Sequence, residues 1–269
     1  VEVSALPGPA RGRSTLHGGS DRWQRAEVPS IVIPGNCAGP PGIGHGGYVA
    51  GLLARRVDGP VQVTLRRPAP LEVELELGEA GPGRWCLRLD GEVLAEAAPG
   101  RVELSVPPTP SVEEARAAEA GSPSRRHVHP ICLGCGLQRD DDEGLAITVG
   151  PLTAGGAAQV AAVWRPTDRH RLHGSAAASE LPGGEVDPLW VLAALDCPGA
   201  MAFIAEGLPA GLLGRISFEQ LAPVPVGVDA VVTGWQVGRE GRKMFAGTAL
   251  SDPEGRVLAR AAATWFSMG

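Results

Sequence analysis

An α+β fold made of two successive units, each a helix followed by an antiparallel meander, is predicted by three features of this chain. A glycine-rich turn opens into an apolar helix at residues 44–54, and a second apolar helical segment, residues 187–196, follows about 140 residues later. After each, apolar and polar residues alternate with period two in short runs, the pattern of half-buried strands. The stretches behind the two helices also echo each other. Arg66-Arg67-Pro68-Ala69-Pro70 has a counterpart in Gln220-Leu221-Ala222-Pro223, and Asp90-Gly91-Glu92-Val93-Leu94-Ala95 in Glu254-Gly255-Arg256-Val257-Leu258-Ala259. Such self-similarity points to an internal duplication.

Residues 1–27 are rich in Gly, Pro, Ser and Arg without apolar periodicity and read as a mobile tail. The first unit spans residues 28–107. A short strand at 28–33 ends at Pro34-Gly35, and the helix that starts near Gly44 runs to about Arg56, where Asp58-Gly59-Pro60 stops it. Strands are expected at 61–65, 71–77, 85–89, 93–95 and 101–106, with a turn at Asp90-Gly91. Residues 108–130 form a linker, Pro- and Ser-rich at its ends, with helix formers at 112–120. The second unit spans 131–269. Its expected strands are 145–149, 159–164, 215–221, 230–237, 244–250 and 257–266, the last after a turn at Asp252-Pro253-Glu254-Gly255. A Gly/Ala/Ser-rich loop, 166–186, precedes its helix and has the length of a lid.

The chain has 269 residues, 43% hydrophobic and 20% charged, which fits a globular protein. A net charge of −6 and the absence of a basic stripe argue against nucleic-acid binding. No apolar run is long enough to span a membrane. Five cysteines, an odd number in a chain this long, suggest no disulfide framework, so a reducing cytoplasm is the expected compartment.

The chemistry is expected at the two helices. The N–H groups of a helix start have no earlier turn to bond, so Gly46 can offer a donor to a polarised oxygen, and glycine allows close approach. Gly47 and Tyr48 follow as substrate-binding candidates, and His45 can orient substrate or cap the helix. Gly46 and Gly47 can equally serve only a tight turn. Asp196 is a carboxylate in an apolar segment, where burial is unfavourable without a role. It can be a catalytic acid or base, or a polar group at a kink made by Pro198-Gly199. Cys132-x-x-Cys135, with His127 and His129 upstream, has the ligand types of a zinc site. Cys37, Cys86 and Cys197 read as isolated core residues, Cys197 having no obvious His partner. His170 and His173 read as solvated, and Arg55, Arg56, Arg66 and Arg67 as a solvated face that could meet nucleotide phosphates.

A long helix wrapped by an antiparallel sheet, with His45-Gly46-Gly47 at the helix start, resembles the hotdog fold of acyl-CoA thioesterases, and the His-Gly-Gly run resembles the phenylacetate-type branch. Cys132-Leu133-Gly134-Cys135-Gly136, followed by Gly144-Leu145, resembles the opening of a hotdog unit in related thioesterases. The resemblance covers residues 28–269 as a double hotdog. In the phenylacetate-type branch a helix carboxylate lies eight positions after the first glycine. Here that position is Ala54, and eight positions before Asp196 stands Pro188. Eight helical residues span about 12 Å, too far for both groups to address one carbonyl. One site shared across the halves is therefore expected, with Gly46 from the first, Asp196 from the second, and an empty mirror site. The resemblance implies hydrolysis of an acyl-CoA or other acyl thioester, with no cofactor and no metal. Dehydratases of the same fold rank below it, since their paired His and acid motif is not visible. The Asp, Thr and Gln set of the double-hotdog branch is matched only at the Asp. The rival from another class is a non-catalytic acyl-CoA or lipid-binding module, and exposed sheet edges leave a homo-oligomer open.

Overall fold

A computed structural model of the chain describes residues 29–126, 129–139, 144–152, 159–173, 181, 183–209 and 211–267. The expected tail and His127 lie outside the described residues. The first half runs β1 (Ser30–Val32), α1 (Gly46–Ala54), β2 (Val61–Leu65), β3 (Glu74–Gly81), β4 (Arg84–Leu89) and β5 (Glu92–Pro99). Then come α2 (Val112–Ala118), β6 (Gly150–Pro151), β7 (Gln159–Trp164), α3 (Pro188–Ala194) and α4 (Asp196–Ile204). The chain closes with β8 (Gly211–Gln220), β9 (Ala230–Glu240), β10 (Lys243–Ser251) and β11 (Val257–Ser267).

The strands form one antiparallel 11-stranded sheet in the order β1-β3-β4-β5-β2-β8-β11-β10-β9-β7-β6. At its centre β2 pairs with β8, Val63 opposite Ile216. Outward from that junction the order reads alike on both sides: the first, last, next-to-last and second strand of each four-stranded meander, then what precedes the helix, β1 on one side and β7 with β6 on the other. The inner face of the sheet carries Val63, Leu87, Ile216 and Ala261, all buried against α1, α3 and α4.

Helix α1 is apolar on every side, as a helix buried all round must be. Its glycines lower helix propensity but let α3 come close. A Cβ on Gly47 would lie 2.6 Å from Asp196 Cβ, and one on Gly51 would lie 2.8 Å from the Leu189 backbone. The second apolar segment is two helices rather than one. Pro198 has no N–H to give the Ala194 carbonyl, so α3 ends and Leu195 (φ −86°, ψ −3°) breaks the run. The chain re-enters a helix at Asp196, and Pro198 falls in the first turn of α4, where its missing N–H is tolerated.

Two expected strands are not strands. Residues 101–106 leave the sheet at Gly100, whose Cβ position is filled by the Gln62 backbone at 2.8 Å, and the Leu104 carbonyl takes the Arg260 guanidinium instead. Residues 145–149 bond to the cysteine loop: Leu145 N–H donates to Leu133 O at 2.8 Å and Ile147 N–H to Gly134 O at 2.9 Å. This pairing draws the loop under the start of α1. In the linker, Ser111 and Glu114 form a capping box for α2, and Ala115 is buried against Ala161 and Val231.

Candidate functional site

The site is built at the first turn of α1. His45 is its N-cap, and Nδ1 accepts from the Tyr48 N–H at 3.2 Å. The Val49 N–H donates to the His45 carbonyl at 2.9 Å, and the Gly47 N–H donates to Asp196 Oδ2 at 2.6 Å. Among the described residues nothing accepts the Gly46 N–H, and Gly46 lines a cavity of about 310 Å3. One free amide thus remains at the helix start, where the peptide dipoles favour negative charge.

Asp196 is 2% exposed and lines the same cavity. Oδ2 holds the Gly47 N–H and lies 3.3 Å from His45 Nε2, whereas Oδ1 is buried without a hydrogen-bond partner. Burial pushes the carboxyl above its ordinary pKa, against the opposing pull of His45 and the Gly47 N–H. Because His45 Nδ1 accepts the capping bond, the proton of the neutral ring sits on Nε2, facing Asp196 Oδ2. Burial is the largest single influence and disfavours a second proton, but the Asp196 carboxylate and the Cys132 sulfur together outweigh it and leave His45 above the ordinary histidine value.

The sequence reading of Cys197 as an isolated core residue is corrected here. Its Sγ lies 3.3 Å from His45 Nε2 and 3.5 Å from Cys132 Sγ. The missed partner stands 152 residues away along the chain. Cys135, three positions after Cys132 on the same loop, is buried and lines the cavity with them. Hydrogen bonds from Cys135 and Cys197, and the neighbouring His45, hold the Cys132 thiol well below the usual thiol range despite burial, while the other two are pushed up.

Gly47 and Tyr48 stand apart from the cavity. The Gly47 N–H is taken by Asp196, and Tyr48 packs against Trp190 with ring centroids 5.4 Å apart and the rings tilted by 58°. His170, expected in solvent, is 3% exposed and sits between Trp164 and Trp190. Burial and the neighbouring Arg169 push its pKa down to about 4. No described residue of the 166–186 loop lines the cavity, and residues 174–180 and 182 lie outside the described set. Arg66 and Arg67 do line it, paired with Glu96 and Glu92.

At the other end of the α1–α3 pair the equivalent positions are chemically bare. Asp187 caps α3, accepting the Leu189 N–H at 2.9 Å, and Arg55 lies 3.4 Å from its other oxygen. Pro188, at the position equivalent to Gly46, has no N–H, and Ala54, equivalent to Asp196, has no carboxylate.

Neither a profile of a known family nor a curated protein sequence matches the chain. Solved structures do. A candidate thioesterase from Novosphingobium aromaticivorans superposes with a TM-score of 0.59 at 15% identity, over 89% of this chain and 95% of that one. An acyl-CoA thioesterase II from Mycobacterium marinum gives 0.51 at 13% identity, over 83% and 88%. A protein of unknown function with the hot dog fold from Alicyclobacillus acidocaldarius gives 0.53 at 12% identity, over 84% and 88%. The chain shares the hotdog fold of these structures.

Proposed function

We propose that this chain hydrolyses an acyl-CoA or related acyl thioester at one site shared between two fused hotdog units, residues 28–107 and 131–269. The carrying observation is the meeting of Asp196, with Oδ1 unpartnered, and the free Gly46 N–H on one cavity wall. The acid and the donor come from opposite halves, and the mirror pair, Pro188 and Ala54, supplies neither. Thioesterases among the structures of similar fold support the reading.

In this reading the thioester carbonyl oxygen accepts the Gly46 N–H, which stabilises the negative charge that develops on it. Oδ1 of Asp196 removes a proton from water as its oxygen attacks the carbonyl carbon, or attacks the carbon itself to give a mixed anhydride that water then opens. In the first route the C–S bond then breaks and the thiolate takes the proton that Asp196 holds; in the second it breaks as the anhydride forms, the thiolate leaves, and water opening the anhydride restores the Asp196 carboxylate and supplies the proton that the thiolate takes up. His45 Nε2–H and the Gly47 N–H fix Oδ2, leaving Oδ1 for the reaction. The apolar wall formed by Leu213, Met201 and Ile204 takes the acyl chain.

Thiol release from short, medium and long acyl-CoAs tests the proposal. Release with at least one chain length is expected. Saturable binding without release at any length would make the chain an acyl-CoA-binding module instead.

A further inference from the structure

The thioester reading leaves two buried thiols beside the acid without a task. We infer that Cys132 and Cys197 are a redox-active pair which a small hydroperoxide entering the cavity converts to a reversible disulfide, and that the bridge switches the site off. The bridge itself does not depend on hydrolytic activity, whereas its effect on turnover rests on the thioester reading.

Three observations carry it. The two sulfurs are 3.5 Å apart, although 65 residues separate them along the chain. A disulfide holds its sulfurs about 2.05 Å apart, so closure needs a movement of roughly 1.5 Å. Gly134 is what lets the pair meet, since a Cβ there would lie 2.7 Å from Cys197 Sγ and 2.9 Å from His45 Nε2. Backbone bonds hold its loop in that place, Leu133 N–H to Ala38 O at 2.7 Å and Ile147 N–H to Gly134 O at 2.9 Å. Finally, both cysteines line the cavity while only 3% and 7% exposed, so an oxidant small enough to enter reaches them and a bulky one does not.

His45 favours oxidation of the pair over metal binding. Its Nε2 stands 3.3 Å from Cys197 Sγ, and the three groups lie within 4.8 Å of one another. A metal would need the Nε2 lone pair, but Nδ1 spends its own on the Tyr48 N–H, which leaves the proton on Nε2. An N–H donor beside sulfur favours the thiolate, the form that attacks a peroxide.

The thiolate of one cysteine attacks a peroxide oxygen. An S–O bond forms, the O–O bond breaks, and the hydroxide that leaves takes up the proton the thiol had lost, giving a sulfenic acid and water. The second sulfur then attacks the first as its own proton is lost. The S–S bond forms, the S–O bond breaks, and the departing hydroxide becomes a second water with that proton. The two thiols lose two electrons, and the peroxide gains them.

The consequence falls on Asp196. The loop side is fixed by its backbone bonds, so the movement is drawn from Cys197, which directly follows the acid in the first turn of α4. A displacement of about 1 Å at a reacting group can cost about 100-fold in turnover.

The test treats the reduced full chain with a small molar excess of hydrogen peroxide. Free thiols, counted after denaturation, are expected to fall by two, from five to three. The mass should drop by two hydrogens, and non-reducing peptide mapping should join Cys132 to Cys197. Turnover of an acyl-CoA that the reduced chain hydrolyses is expected to fall about 10- to 100-fold and to return with dithiothreitol. Cys135→Ser is expected to form the same bridge, and mapping of the unmutated chain survives if that variant fails to fold. A Cys132–Cys135 bridge, oxidation to sulfinic acid without a bridge, or full turnover in the bridged chain would overturn the inference. If the reduced chain hydrolyses no acyl-CoA, the thioester reading falls, while the mapping still decides the bridge.

Discussion

Asp196 Oδ2 accepts the Gly47 N–H at 2.6 Å, a bond that reaches across 149 residues and fastens the start of α4 to the start of α1. It turns one carboxylate oxygen into a structural anchor and leaves the other buried without a hydrogen-bond partner.

The free amide of Gly46 can be tested by separating its N–H from its size. Gly46→Ala keeps the N–H and adds a Cβ about 3.1 Å from Leu213 Cδ2 and 3.2 Å from Leu213 Cβ and Asp196 Oδ2, a crowding that a proline there shares. Gly46→Pro adds similar bulk and removes the N–H, at a helix position that accepts proline. The proline variant is expected to lose roughly 100- to 1000-fold in kcat relative to the alanine variant, with similar Tm. Equal kcat would remove Gly46 from the oxyanion role.

Gly47 acts through packing. Its added Cβ would meet Asp196 Cβ at 2.6 Å and the Leu192 carbonyl at 2.9 Å, neither of which is a flexible end. Gly47→Ala is expected to lower unfolding free energy by about 1–3 kcal/mol in urea titration, because the helices must separate.

How much of this was legible differs residue by residue. The helix start at His45-Gly46-Gly47, the odd carboxylate at Asp196 and the departures at Ala54 and Pro188 stood in local sequence, so the elements and their pairing could be read there. The Cys197–His45 contact could not, since it depends on how a loop, α1 and α4 meet. Residues 145–149 carry a strand pattern but satisfy the cysteine loop, because tertiary partners override propensity. Likewise the α3–α4 break follows from Pro198, yet its outcome, a carboxylate aimed at another helix, needs the packed structure.

His45 has two separable tasks. His45→Ala loses the cap, expected to cost about 1 kcal/mol, whereas His45→Asn keeps a capping oxygen and loses only Nε2–H. Thermal unfolding should rank asparagine above alanine. Thiol release should fall in both, since each frees Asp196 Oδ2.

The pH dependence follows from the raised Asp196 pKa. As the base it must be ionised, so kcat should fall with decreasing pH through a midpoint above the ordinary carboxylate value of about 3.9. The stability sign is opposite. An acid whose folded pKa lies above its unfolded one destabilises the fold as pH rises from the unfolded value through the folded one. Near neutral pH, Asp196→Asn should therefore hold or raise Tm, and a large drop in Tm would contradict a desolvated carboxylate.

The most direct measurement is thiol release by Asp196→Asn beside the unmutated chain, with Ala54 and Pro188 variants as controls. Loss of at least about 100-fold in kcat with the fold intact, and no change in either control, is the expected result. Unchanged turnover in Asp196→Asn would contradict a site shared between the two halves.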